Sequence, residues 1–282
     1  MKIQKEEKDT STFFKGILYI LTIAACISLI FIGFQLYKYI KGEKLYQSIR
    51  SDYTEDSDES GDSDFVIPPQ IDHAGLYALN KDYVGWLRID ACSIDLPVVQ
   101  GKDNAEYLHT GFNHKYLYQG TLFIDWQNRS DFSDPNTIIY GHNMRNRSMF
   151  GNLRKYLDED FAKENPSFWL CTKDYAYLYQ IYSVAIITAD SDAYTLFPDF
   201  EEDYSDYINN HLDASLIDFQ AAPTGDARTL TLSTCYGHSG NGKRLIVQAY
   251  REGAYPENGC SKEQAEENER RQRIKENRSR SS

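Results

Sequence analysis

The sequence lacks an excess of positive charge. Its 282 residues include 30 lysines and arginines against 42 aspartates and glutamates, for a formal net charge of −12. It also lacks a stripe of basic residues with interleaved aromatics, the pattern typical of nucleic-acid-binding proteins. These absences argue against a nucleic-acid partner, and the negative charge is explained by solubility through self-repulsion.

Cysteine is scarce, and its spacing excludes another class. An odd number of cysteines without close pairs does not form the framework of a small disulfide-rich protein. Two of them, Cys92 and Cys171, are expected to be small buried hydrophobic residues. A thiol that persists in a domain outside the cytoplasm would need a chemical explanation. The five cysteines are Cys26, Cys92, Cys171, Cys235 and Cys260.

Charge is absent altogether from residues 16–37, GILYILTIAACISLIFIGFQLY, which are long enough to cross a bilayer as one helix. The segment Ile23–Cys26 fits a lipoprotein cleavage site by residue type, but the apolar run continues well beyond it. We therefore predict an uncleaved single-pass anchor. Lysines flank both ends of this segment, so the positive-inside rule gives almost no indication of its orientation in the membrane. A cytoplasmic tail over 1–15 and an extracellular C-terminal domain are the expected arrangement, because the N-terminal segment is short.

Large apolar residues are nearly absent from 51–64, SDYTEDSDESGDSD, which holds seven acidic side chains. Such a composition buries too little surface to order itself, so we predict an acidic linker over 38–64. Residues 254–282 form a charged C-terminal tail, expected to be a frayed helix or disordered. Residues 65–253 remain as one domain.

This domain is predicted to be mostly β, because short β-branched and aromatic runs recur along it. Two helices are expected, over 149–157 and 199–212, the second with Asp199 and Glu202 in a capping-box arrangement. Eight strands with short connections favour a closed or nearly closed β-barrel with a few peripheral helices. The predicted strands are 85–90, 94–99, 120–125, 136–141, 167–171, 176–188, 228–234 and 244–251.

Three residues at strand ends could carry chemistry. Cys235 and His142 each follow an apolar strand directly, and Arg244 begins the strand after the Cys235 loop. A cysteine nucleophile needs a thiolate, a proton donor for the leaving group and a group that stabilises the oxyanion. Imidazole suits the second role and guanidinium the third. Spacing alone does not prove that the three residues meet.

Other interpretations of the same residues stay open at this point. A cysteine in a strand-rich domain is usually a buried hydrophobic residue, and a histidine after a strand is usually solvated. Cys235 and His238 also form a Cys-x-x-His pair that could bind zinc. That reading needs two more ligands, and no second pair has matching spacing. We therefore expect no metal site.

Several segments resemble sortases, the membrane-anchored cysteine transpeptidases of Gram-positive bacteria, and class B sortases in particular. The resemblance runs in order over roughly residues 70–252. The segments that carry it are TLSTC at 231–235, NTIIYGHNM at 136–144 followed by MFG at 149–151, VVQGKDN at 98–104 with YL at 107–108, and GTLFID at 120–125.

This resemblance implies an eight-stranded sortase β-barrel with a helix before the cysteine strand and no cofactor. It implies that Cys235 is the nucleophile, His142 the general acid/base and Arg244 the cation beside the oxyanion. Arg244 is chosen over the adjacent Lys243 because it starts the apolar strand. The substrate groove would be lined by Asn104, Leu108, Tyr140, Tyr194, Ser233 and Thr234.

The implied activity is cleavage of an NPxT-type C-terminal sorting motif in secreted proteins, through a thioacyl enzyme, and transfer to an amine of a peptidoglycan precursor. The expected partners are therefore secreted proteins, the precursor and the membrane. Two alternatives remain: a cysteine hydrolase of the same fold, and a non-catalytic anchored β-domain that binds the cell wall.

Overall fold

The computed structural model describes residues 2–55, 65–200, 202–237 and 242–280. Within these ranges an N-terminal helix, a closed β-barrel and a C-terminal helix follow one another along the chain. Short helices lie between the barrel strands.

Eight strands close the barrel in the order β7-β8-β6-β5-β1-β2-β3-β4, with β4 paired back to β7. Neighbouring strands are antiparallel except β2–β3 and β4–β7, which are parallel. The strands are β1 (Tyr83–Ile89), β2 (Ile94–Val99), β3 (Leu122–Ile124), β4 (Asn136–Tyr140), β5 (Ser167–Cys171), β6 (Ala176–Thr188), β7 (Thr229–Cys235) and β8 (Lys243–Tyr255).

The barrel interior is filled by apolar side chains from all sides, as alternation along each strand requires. The predicted mostly β fold with an eight-stranded barrel is confirmed, and three strands have the predicted bounds. The largest difference is β8, which continues to Tyr255 because the end of the strand packs against a C-terminal helix and buries Ala254 and Tyr255. Residues with no solvent exposure in the core include Trp86, Leu87, Ile139, Val184, Leu232 and Val247.

Helix α1 (Lys2–Tyr53) is much longer than the predicted membrane span. From Lys15 onward it is apolar enough to cross a membrane, by length and composition. The linker prediction is wrong for 38–53, where the chain stays helical. Tyr46 and Ile49, each 3% exposed, pack into the domain core because their spacing places them on one face. Residues 56–64 of the predicted linker lie outside the described residues.

The short helices show where local backbone geometry departs from sequence periodicity. Residues 149–157 are not one helix: Met149 has a left-handed φ of 52°, so the 3₁₀ helix starts only at Leu153. Helices α2 (His73–Leu79) and α3 (Glu159–Glu164) begin after aspartate caps.

Helix α4, described over Glu202–Asp213, does not reach back to the predicted start, because Asp199 and Phe200 are not helical. It covers the outer face of β6 with a small aromatic cluster of its own. Tyr204 and Tyr207 pack there against Tyr182 of β6 and Phe197. This helix therefore covers the outside of the barrel at β6, in the connection that leads along the chain to β7.

The predicted tail forms helix α5 (Lys262–Arg280), which packs against β8. Its glutamates reach arginines that the barrel buries. Glu269 Oε2 lies 2.6 Å from Arg251 Nε, and Glu276 Oε2 lies 2.7 Å from Arg228 Nε. Both arginine side chains are at most 1% exposed. Neither a frayed nor a disordered tail fits these contacts.

Candidate active site

The parallel pairing of β4 with β7 brings Cys235 and His142 to the same edge of the barrel. Ser233 on β7 pairs with Tyr140 on β4, and the Gly141 amide donates to the Ser233 carbonyl at 3.1 Å. Cys235 and His142 each follow two residues later. Because side chains alternate with a period of two, Cys235 shares a face with Ser233. The imidazole and the thiol therefore belong to adjacent strand ends.

The antiparallel pairing of β7 with β8 places Arg244 directly opposite Cys235. The nine-residue spacing thus places the two residues opposite each other in the strand pair. The Arg244 guanidinium donates from Nη1 to the carbonyl of the neighbouring Lys243 at 3.1 Å. Burial raises the pKa of the Tyr140 and Tyr194 hydroxyls, and the positive charge of Arg244 opposes this rise.

The zinc interpretation involves His238, which lies outside the described residues. Among the residues that the structure does describe, no group of three His, Cys, Asp or Glu side chains is placed to hold a metal ion.

The His142 imidazole is held by two contacts. Its Nε2 lies 2.8 Å from the Leu108 carbonyl oxygen, and since a carbonyl only accepts, this nitrogen carries a proton. The ring stacks on His109 at 5.4 Å between centroids and 17° between planes. Burial lowers the pKa of His142 below its ordinary value, and the nearby His109 lowers it further, although the Leu108 hydrogen bond opposes both. Protonated His142 is therefore a stronger acid than free imidazole.

Cys235 differs from the cysteines buried in the domain. Cys92, Cys171 and Cys260 are buried, and burial raises the pKa of each of these thiols, to about 12 for Cys92. Cys235 is exposed at the end of β7, and the Asn143 side-chain amide donates to its carbonyl at 2.8 Å. The strand end is thus fixed while the thiol faces solvent.

A wall of hydrogen-bonded polar side chains extends from Cys235 along the same face. The hydroxyls of Tyr194 and Ser233 lie 2.7 Å apart, and the Tyr194 ring stacks on Tyr140 at 6.2 Å. The Tyr140 hydroxyl donates to Asp125 Oδ2 at 3.1 Å, and the Asn104 amide donates to the same oxygen at 2.7 Å. Burial raises the pKa of both tyrosines, so their hydroxyls stay protonated as donors.

The other two predicted groove residues are placed differently. Leu108 is 37% exposed, and its carbonyl holds His142, so it lies at the rim of the site. Thr234 alternates to the face opposite Cys235, and its hydroxyl donates to the Gly141 carbonyl at 2.7 Å. Its side chain lines a separate cavity of about 200 Å³ that also contacts Tyr236. The structure therefore does not bring Thr234 into the polar wall.

Two residues of the site carried no predicted role. Asp125 is 5% exposed and joins Asn104 to Tyr140, and a carboxylate directly after a buried strand was a signal that could have identified it. His109 had no such signal, because only the fold brings it onto the His142 ring.

The chemistry available here is nucleophilic. An accessible thiol, an imidazole on the adjacent strand end and a guanidinium on the opposite strand are the groups that acyl transfer requires. The polar wall beside them offers donors and acceptors along an extended peptide. These features agree with an acyl-transfer site at the open edge of the barrel.

Comparisons with known proteins identify the same family. The sortase domain model matches residues 87–252. Sortase B of Listeria monocytogenes is 35% identical over 220 residues, which cover 77% of this chain and 87% of the relative. The structure of Bacillus anthracis sortase B in complex with AAEK1 is 28% identical, with a TM-score of 0.65 over 77% of this chain and 98% of that one. The structure of a Staphylococcus aureus sortase B–substrate complex is 30% identical, with a TM-score of 0.59 over 63% of this chain and 83% of that one. The chain therefore belongs to the sortase family, in class B.

Proposed function

We propose that this cysteine transpeptidase acts through Cys235 as nucleophile, His142 as general acid and base, and Arg244 as the cation that stabilises the oxyanion. The observation that carries the proposal is the double strand register. One neighbour of β7 ends two residues before His142, and Arg244, the second residue of the other neighbour, pairs with Cys235. Both positions are set by the barrel itself, so the three residues lie on or directly beside rigid elements.

In the first step the Cys235 thiolate attacks the carbonyl carbon of the motif threonine, in the peptide bond to the residue that follows it. The carbonyl oxygen becomes an oxyanion, which the Arg244 guanidinium stabilises by charge and hydrogen bonding. When the tetrahedral intermediate collapses, the carbon–nitrogen bond breaks and His142 gives its proton to the leaving amine. The lowered pKa of His142 favours this transfer, since a more acidic imidazolium releases its proton more readily.

In the second step an amine attacks the thioacyl carbonyl. Neutral His142 accepts the proton that the amine loses, the carbon–sulfur bond breaks, and Cys235 leaves as the thiolate. The product is a new amide between the substrate and the acceptor. We infer that the acceptor is an amine of a peptidoglycan precursor, the class of acceptor that sortases use.

We propose an NPxT-type sorting motif as the substrate class. The polar wall supports this proposal, because Asn104, Tyr140 and Tyr194 offer amide and hydroxyl groups for a polar motif residue, and Leu108 offers an apolar rim. The related Staphylococcus aureus protein has been solved as a sortase B–substrate complex. Secreted proteins that end in such a motif are thus the proposed partners.

We also propose that α1 is a single-pass membrane anchor, with the catalytic domain on the extracellular side. The proposed division of the chain is a cytoplasmic tail over 1–15, a membrane span over 16–37 and a catalytic domain from about 65 to 253. The apolar character of α1 from Lys15 onward supports the span. Secreted substrates and wall precursors would meet the active site on that side.

The test is a peptide assay with the full-length protein in detergent. An NPxT peptide and a short amine are added, and the products are identified by mass spectrometry. The parent protein is expected to give the amide of the two, and Cys235→Ala is expected to give none. A water-cleaved peptide without amide would indicate a hydrolase instead.

Cys260→Ala is the matched control, because Cys260 is a buried thiol outside the site. It should retain the parent rate, and circular dichroism should show Cys235→Ala folded. Full activity in Cys235→Ala would exclude Cys235 as the nucleophile.

A further inference from the structure

The segment 109–118 connects the active site to the membrane end of α1. It is a compact loop in which Thr110 bridges to Tyr116. Phe112 and Leu117, at most 3% exposed, fix the loop in the core. The tip between them, residues 114–116, is exposed. The loop therefore presents its tip on a rigid base.

The contacts of this loop with α1 fix its level along the helix. Lys38 Nζ lies over the Tyr118 ring at 5.1 Å, and Tyr39 meets the same ring edge-on at 6.0 Å. Lys41 Nζ donates to the Tyr116 carbonyl at 3.2 Å. All three contacts come from residues that directly follow the uncharged run 16–37.

The rise of the α-helix gives the distance of these contacts from the end of the apolar run, measured along the axis of α1. Four residues beyond the apolar run correspond to about 6 Å along the axis, at 1.5 Å per residue. The polar headgroup layer extends roughly 5 to 8 Å beyond the hydrocarbon core on each side. If 16–37 fills the hydrocarbon core, Tyr116 lies within the headgroup layer.

The chemistry of the loop tip suits that layer. Tyr116 is 63% exposed, and Lys115 beside it is exposed as well. Tyrosine is enriched at membrane interfaces because its ring is apolar and its hydroxyl polar. Lys38, Lys41 and Lys115 form a local basic group in a chain whose net charge is −12, which matches an anionic phospholipid surface.

We infer that the 109–118 loop is a second membrane contact, which sits in the phospholipid headgroup layer beside α1. Two contacts between aromatic rings connect this loop to the active site. Tyr118 stacks on His109 at 6.2 Å, and His109 stacks on His142 at 5.4 Å. The loop thus holds the mouth of the site close to the lipid surface, within reach of a membrane-bound amine acceptor. The inference rests on the proposed membrane anchoring of α1.

The test measures depth with tryptophan in the full chain, reconstituted into vesicles of phosphatidylcholine and phosphatidylglycerol. Tyr116→Trp is compared with Tyr77→Trp, after subtraction of the signal from the three native tryptophans. Tyr77 is 51% exposed on α2, which is joined to the far end of α1 by the Asp72 amide donating to the Tyr53 carbonyl. This end lies about 24 Å beyond the apolar run, at 1.5 Å per residue.

Spin-labelled lipid with the label on the headgroup is expected to quench Tyr116→Trp severalfold more than Tyr77→Trp. Equal quenching of the two overturns the inference, as does emission from Tyr116→Trp that no lipid label reduces. A third variant, Phe31→Trp, reports on the span itself through lipid labelled in the acyl chain. If Phe31→Trp is quenched and Tyr116→Trp is not, the loop contact is excluded and the membrane anchor stands. If Phe31→Trp is not quenched, the membrane anchor itself is excluded.

Discussion

Replacing Glu269 of α5 with glutamine is expected to destabilise the domain by about 3 kcal/mol. The Glu269 side chain is 7% exposed, and its partner Arg251 is fully buried at 2.6 Å. Removing one member of a buried ion pair typically costs about 3–5 kcal/mol, because the remaining charge stays buried without compensation. The lower end applies here, since Glu276 still contacts Arg251 at 3.2 Å. Burial raises the pKa of Glu269 against the influence of Arg251, which shows that burying this carboxylate has a cost.

The assay is thermal unfolding of the full chain in detergent, with circular dichroism as the signal that monitors unfolding. A change of about 3 kcal/mol lowers Tm by roughly 10 °C for a domain of this size. Glu267→Gln is the matched control on the same helix. Glu267 pairs with Arg270 and Arg271, whose side chains are 64% and 73% exposed, and such surface pairs contribute little to stability because solvent screens them.

An equal Tm for the Glu269→Gln and Glu267→Gln variants would refute the reasoning. A second replacement sharpens the test. Arg251→Met in the Glu269→Gln background removes the uncompensated charge, so Tm should recover partly relative to Glu269→Gln alone. If the second replacement lowers Tm further, the buried charge is not the cause of the loss.

Two other changes test the packing of α1 and the environment of the His142 imidazole. Gly42→Ala is expected to destabilise the packing of α1 by about 1 kcal/mol net. The added methyl group would lie 2.0 Å from the buried Gln119 amide, so the cost of overpacking outweighs the gain in helix propensity. Thermal unfolding measures it, and Gly33→Ala, which meets nothing within 4 Å, should not lower Tm. His109→Gln should raise the pKa of His142, because it removes both a like charge and part of the burial that lower it. The His142 limb of the pH–rate profile then moves to higher pH, and a limb that stays in place or moves lower contradicts the assignment.

The barrel could be predicted from sequence because its strands carry their own signals. The β-branched and aromatic run 176–188 and the apolar strand before Cys235 are stretches whose burial pattern follows directly from residue type. The candidate site was likewise visible at Cys235 and His142, since both stand where an apolar strand stops. Their adjacency was not visible, because it depends on the parallel register of β4 with β7.

The rest depends on contacts that residue type conceals. Charged residues dominate α5, so its sequence resembles a solvated helix, and only the pairing with Arg251 of β8 explains the burial of Glu269. A similar effect hid the end of α1, where two polar residues separate Tyr46 from Ile49 and Lys44 and Arg50 flank them. At Met149 the left-handed backbone overrides a helical pattern, which no local propensity indicates.

The ion pairs of α5 also set the order in which the protein can be completed. Arg228 at the start of the cysteine strand donates to Asn277, which is 49 residues further along the chain. During synthesis the barrel strands are therefore finished while their buried arginines still lack the partners that α5 brings. Closure of the β7–β8 face has to wait until α5 has been synthesised. A product that stops before α5 would contain Cys235, His142 and Arg244 on an unclosed scaffold, so stable folding of the enzyme depends on α5.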